Sequence, residues 1–218
     1  MGEIIKIKNR QIFTHKNSDN ILIFIMKLKH RKSIMVGHLE NSEIELKHIL
    51  LELNHGRVKH MRHFIDSYYC YANNSISKNG NAKWSKLLWN TKTSEKAKKI
   101  YEDFESKISL TTNSKDRNDL IKRRDKLVTR DHSIPLKVIS KILLEEHLKK
   151  PLTLESLREL LDKQIFHTTI TKDEDALLRI NKLNDCMPAS FYEDNHSLYG
   201  KWYARYVETG IAINDVLL

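Results

Sequence analysis

The chain has 218 residues, with 38 Lys and Arg against 28 Asp and Glu, a formal net charge of +10. With 40% hydrophobic and 30% charged residues it reads as globular rather than disordered. Its two distant cysteines, Cys70 and Cys186, point to neither a disulfide framework nor a zinc ribbon.

No apolar run approaches the roughly 18 residues of a membrane span, and the N-terminus lacks the order of a secretory signal. A cytoplasmic chain with no membrane partner is expected. An excess of Lys and Arg fits an anionic partner, because phosphates are neutralised by these side chains with release of counterions. DNA is the expected partner, with RNA the alternative; an AT-rich genome also yields Lys- and Asn-rich chains.

Glu3–Lys8 and Asn20–Lys29 read as strands around turn-prone Asn17-Ser18-Asp19. Ser42 and Glu45 match a capping box for a helix carrying Ile44, Leu46, Ile49, Leu50 and Leu53 on one stripe. Gly56 kinks or interrupts it before Val58, Met61, Phe64, Ile65 and Tyr68 resume helical spacing. The polar stretch Asn73–Asn81 reads as a loop. It suggests an N-terminal recognition module over 1–75 and a helical region over 76–218.

Trp84 to Trp89 forms a compact aromatic turn, followed by helices over Ser94–Ser109 and Lys115–Asp125. The second presents Arg123 and Arg124 on a basic face, either solvated or contacting phosphate. Lys126–Asp131 reads as a short strand running into His132. Two helices follow, the first with Ser133 as cap and Pro135 in its first turn, the second capped by Thr153. Gln164–Ile170 returns to strand character through its β-branched residues. Thr171 and Glu174 form a capping box for a helix through Leu183, and a last helix spans about Ser197–Glu208. The fold class is therefore α+β, mostly helical, with a small N-terminal β element.

Hydrolysis of a phosphodiester needs an activated water and a cation on the phosphate. Asp131, His132 and Asp175 suit that chemistry if the two strands pair as a hairpin and the helix packs across them. At Asp131-His132-Ser133-Ile134-Pro135, and at Thr169 to Asp175, the sequence resembles the HNH, or His-Me finger, nucleases. The likeness covers about 126–184 and departs from the family in a longer helical insertion and in lacking the central Asn, for which Gln164 is a stand-in.

The resemblance implies a ββα-metal-like site in a DNA-cutting hydrolase of restriction or phage type. His132 would be general base, and Asp131 and Asp175 would hold Mg²⁺ or Mn²⁺. Lys172, Arg179 and Arg205 are candidate phosphate clamps, and a palindromic target would make a homodimer natural. A non-catalytic nucleic-acid-binding protein and a toxin-like ribonuclease are the alternatives.

Plainer structural readings stand beside each residue. Asp131-His132 also reads as a hydrogen-bonded strand end, Glu174 as a capping residue and Asp175 as a carboxylate favoured by the helix dipole. Arg179 also suits an i,i+4 pair with Asp175. His60, His63 and Asp66 share a helix but lack a convincing fourth ligand for zinc. Trp84 and Trp89 suit a core as well as base stacking.

Overall fold

The computed structural model describes residues 4–7, 10–13 and 37–214; the expected strand Asn20–Lys29 lies outside them. The chain divides into two units, 1–36 and 37–218. In the first, β1 (Ile4–Ile7) and β2 (Arg10–Phe13) pair antiparallel.

The second unit is α+β and mostly helical, with eight α-helices and a three-stranded mixed sheet among the described residues. None of these helices is long and apolar enough to cross a membrane. Its division from the first unit falls at Val36/Gly37, not in the loop after residue 72. The reason is packing. Helices α1 (His38–Asn54) and α2 (Val58–Ala72) share one core with α5 (Leu136–Lys149) and α6 (Leu154–Gln164). Leu46, Ile49, Met61, Ile65, Ile139, Leu143, Leu157 and Leu161 are fully enclosed there. Truncating one of these leucines to Ala should cost about 2–5 kcal/mol. The insertion between the two strands of the motif is therefore a wall of the main core.

Local signals place several ends. Helix α1 begins at Gly37, a turn before the Ser42/Glu45 pattern. Ser42 instead lies inside the helix, its hydroxyl donating to the carbonyl of Leu39. Gly56, at φ +64°, supplies the left-handed residue that ends α1 and reverses the chain into α2. Ser94 caps α3 (Glu95–Ser109) by accepting from the Ala97 amide, and Asn113 caps α4 (Ser114–Lys126). Ser133 caps no helix, since α5 starts after Pro135. Helix α7 (Lys172–Ile180) opens on the expected Thr171/Glu174 box, whereas α8 is short, Ala204–Glu208.

The sheet order is β3-β5-β4, with β5 (His167–Thr171) central. β3 (Lys92–Thr93) runs parallel to it and β4 (Val128–His132) antiparallel. All five β5 residues are buried, and four of them, Thr168 to Thr171, carry the β-branched side chains that suit a strand. The β4–β5 register pairs Val128 with Thr171 and His132 with His167. It fixes everything that follows at the site.

Candidate functional site

Side chains alternate between the two faces of a strand, so neighbours in sequence point apart. Asp131 and His132 obey this rule. His132 shares its face with Arg130, two residues away, and with His167, directly opposite on β5; the two imidazole rings lie 4.5 Å apart. Asp131 turns to the other face. Its carboxylate accepts hydrogen bonds from Arg205 and from the Tyr206 hydroxyl, the latter at 2.5 Å.

Helix α2 supplies what the strand pair lacks. Asp66 Oδ1 accepts from His132 Nε2 at 2.6 Å and lies 3.4 Å from Arg130 Nη1 and 3.9 Å from His167 Nε2. The ligating atoms of Asp66, His132 and His167 all lie within 4.8 Å of one another, the one such cluster among the described residues. Arg130 Nη1 also contacts His167 Nε2 at 2.9 Å, while its guanidinium stacks on Trp84.

Burial and charge set the state of these groups. His132 and Asp66 are about one-fifth exposed, whereas the His167 side chain is enclosed. Desolvation, helped by the charges of His132 and Arg130, pushes the His167 pKa down to about 2, so its ring stays neutral. Burial alone would raise the Asp66 carboxyl, but the His132 hydrogen bond and the nearby cations hold it below the usual value. Because a guanidinium can only donate, His167 accepts through Nε2 and carries its proton on Nδ1. That Nδ1 is buried without a partner.

At the end of β4 a cleft of about 190 Å³ is lined by Asp131 and His132 with Arg62, Lys137, Asn184 and Asp185; Asp66 and His167 do not line it. Lys137 pairs with Asp185 at 2.9 Å across an exposed surface, a contact too weak to keep it from a phosphate. Arg205 is fully buried and donates to Asp131, to the carbonyls of His132 and Ser133, and to Leu183 O at 2.7 Å. It is a structural hub that holds the main chain at His132 and Ser133 and the side chain of Asp131. Buried this way, it does not serve as a phosphate clamp.

The other expected site residues are dispersed. Asp175 makes a surface pair with Arg179, at 2.9 Å. The register puts the start of α7 beside Val128, four residues from His132 or about 13 Å along the strand. The structure therefore does not gather Asp131, Asp175 and His132 around one ion.

Glu174 is buried and accepts from Thr171 N and Ser94 Oγ, a capping role. Gln164 closes α6, and Asp66 is the residue that steadies His132. Arg124 is sandwiched between Trp89 and Tyr101 and paired with Glu105, so it presents no charge to a ligand. Arg123 is exposed on α4, and Lys172 lines a second cleft of about 340 Å³ with Lys96, Lys99, Lys126, Asp103 and Asp173. Trp89 donates to Asp125, so it too belongs to the scaffold.

Sequence reasoning groups Asp66 with His60 and His63 of its own helix, and it passes over His167 inside a β-branched run. The signal that finds both histidines together is cross-strand pairing: with β4 antiparallel to β5, the residue opposite His132 is His167.

No known protein family, no curated protein and no solved structure matches this chain.

Proposed function

We propose that the chain is a metal-dependent nuclease that hydrolyses phosphodiester bonds at the cleft lined by His132. One observation carries the reading: a carboxylate and two imidazoles converge to within 4.8 Å, and one of them, His132, also lines a cleft that holds Arg62. The chain's positive charge supports a polyanionic substrate.

Asp66, His132 and His167 are the residues that would hold the ion. A neutral imidazole is the form that ligates metal, and enclosure keeps His167 in that form. Two nitrogens and one oxygen suit Mn²⁺ or another transition ion better than Mg²⁺, which prefers oxygen ligands. When bound, such an ion polarises the phosphate and makes a bound water acidic. Arg62 binds phosphate oxygens at the cleft mouth, and Lys137 joins it by exchanging its surface partner. Arg205 and Asp131 act as positioning residues, keeping the His132 backbone fixed.

A second reading rests on the 2.6 Å Asp66–His132 hydrogen bond. With Nε2 donating to Asp66, the ring's lone pair is on Nδ1. His132 would then accept a proton from the nucleophile without metal, as in a ribonuclease acting on the 2′-hydroxyl.

The test incubates the purified chain with supercoiled plasmid and with an RNA oligonucleotide, under Mn²⁺, Mg²⁺, Zn²⁺ or EDTA, beside H132A and D66N. The metal reading expects cleavage with Mn²⁺ that EDTA and both substitutions abolish. Cleavage of RNA that survives EDTA favours the second. Salt-sensitive binding without cleavage of either polymer would leave a nucleic-acid-binding protein and overturn both.

A further inference from the structure

Arg130 places a permanent cation among the same three side chains. Its Nη1 lies 2.9 Å from His167 Nε2 and 3.4 Å from Asp66 Oδ1, and Asp66 is shared with His132 at 2.6 Å. Asp66 Oδ1 and His167 Nε2, 3.9 Å apart and out of bonding contact, are bridged by the guanidinium. We propose that Arg130 is a built-in competitor for the divalent ion, docked between Asp66 and His167 when the ion is absent and displaced from both, its stack on Trp84 kept, when the ion binds.

The inference rests on the metal reading and adds a specific exclusion to it. His167 offers one lone pair towards the cluster, on Nε2, and Arg130 uses it. Its other ring nitrogen is enclosed without a partner and cannot substitute. A metal ligand at Nε2 and a donor at Nε2 are therefore alternatives, and like charge keeps both cations from sharing the Asp66 oxygen. Trp84 can hold the guanidinium once it is displaced, since its ring already lies 4.8 Å from the guanidinium carbon. Retained there, the freed guanidinium stays close to the bound ion and can turn to a substrate phosphate.

Coupling of this kind is reciprocal: removing the internal cation must tighten the ion by the factor with which the ion displaces it. Titration calorimetry with MnCl₂ on the full chain reads that factor without reference to catalysis. R130M keeps the stem against Trp84 and deletes the charge; it should bind Mn²⁺ about tenfold more tightly or better, within the usual range of such couplings. R62Q removes a cation from the cleft that touches neither Asp66 nor His167, and it should change affinity less than about threefold if the effect is local rather than a matter of net charge. Mn²⁺ should also shift tryptophan emission in the parent chain, and W84F should lose that shift.

Equal or weaker binding by R130M overturns the competition while leaving the metal site standing. Equal tightening by R62Q and R130M overturns it as well, by making the effect nonspecific. Absence of Mn²⁺ binding in every variant sinks both this inference and the metal reading. Should R130M fail to fold by circular dichroism, R130Q carries the same expectation, since it too lacks the charge.

Discussion

Asp66 and His132 are joined by a 2.6 Å hydrogen bond although 66 positions separate them in the chain. The bond links α2 to the end of β4, so the helical layer directly orients an imidazole that the sheet presents. It also makes Asp66 the partner of His132 in either mechanism.

Replacing Asp66 by Asn should therefore act on function more than on folding. The residue is about one-fifth exposed and its loss leaves Arg130 and His132 with solvent access. Loss of a charged ligand and orienting group should lower kcat by about 10²–10⁴-fold. Thermal unfolding followed beside the cleavage assay checks that stability stays near that of the parent chain. An active D66N would remove the site from consideration.

The opposite balance is expected at Asp131. Arg205 is fully buried and shares this carboxylate with Tyr206, so D131N leaves a guanidinium in the interior without its counter-charge. Breaking a buried pair from one side costs about 3–5 kcal/mol, a fall in Tm of roughly 10 °C for a chain of this size. Calorimetry should show that fall, whereas Asp175→Asn, which removes only a surface pair with Arg179, should change Tm by about 2 °C or less.

His167 gives the stability a pH dependence. Its pKa is depressed from 6.5 to about 2 in the folded chain. Between those values the unfolded chain binds a proton that the folded chain refuses, so stability is full above pH 6.5 and falls as pH drops below it. The slope from this one group is at most about 1.4 kcal/mol per pH unit. Asp66, held low, adds to the loss further down, below its ordinary value of 3.8. Urea titrations from pH 7.5 to 4.5 should show the decline, and H167Q should flatten it above pH 4.5.

Binding to nucleic acid should depend on the second cleft. Lys96, Lys99, Lys126 and Lys172 converge there with only Asp103 and Asp173 opposing them. Changing all four lysines to Gln should lower the slope of log K against log salt by about 0.7–0.9 for each phosphate no longer neutralised. Fluorescence polarisation of a labelled oligonucleotide between 50 and 200 mM salt (roughly the range where such slopes are large) measures it. An unchanged slope would place the nucleic-acid surface elsewhere.

The two cysteines should differ in reactivity. Cys70 is fully buried, and enclosure pushes its thiol up to about 12, while Cys186 is only partly covered. A thiol reagent should label Cys186 in the native chain and reach Cys70 only after denaturation, as peptide mass analysis would show.

What the residues reveal without the fold is local. Thr153 and the Thr171/Glu174 box cap amides three residues away, so the pattern alone places those helix starts. Strand-forming composition likewise places β4 and β5 to within about three residues. Where distant residues supply the answer, local pattern misleads: Ser42 fits a capping box, yet Gly37 begins the helix.

From its own order of residues the chain determined a mostly helical α+β architecture, a basic surface and the strand end that bears His132, because periodicity and capping act over a few positions. Tertiary structure alone decided which groups meet. The β4–β5 register set His167 opposite His132, the pleat sent Asp131 to Arg205, and the packing of α2 with α5 and α6 carried Asp66 to the imidazole. Such pairings depend on contacts between segments far apart in the chain, and no short stretch of sequence contains them.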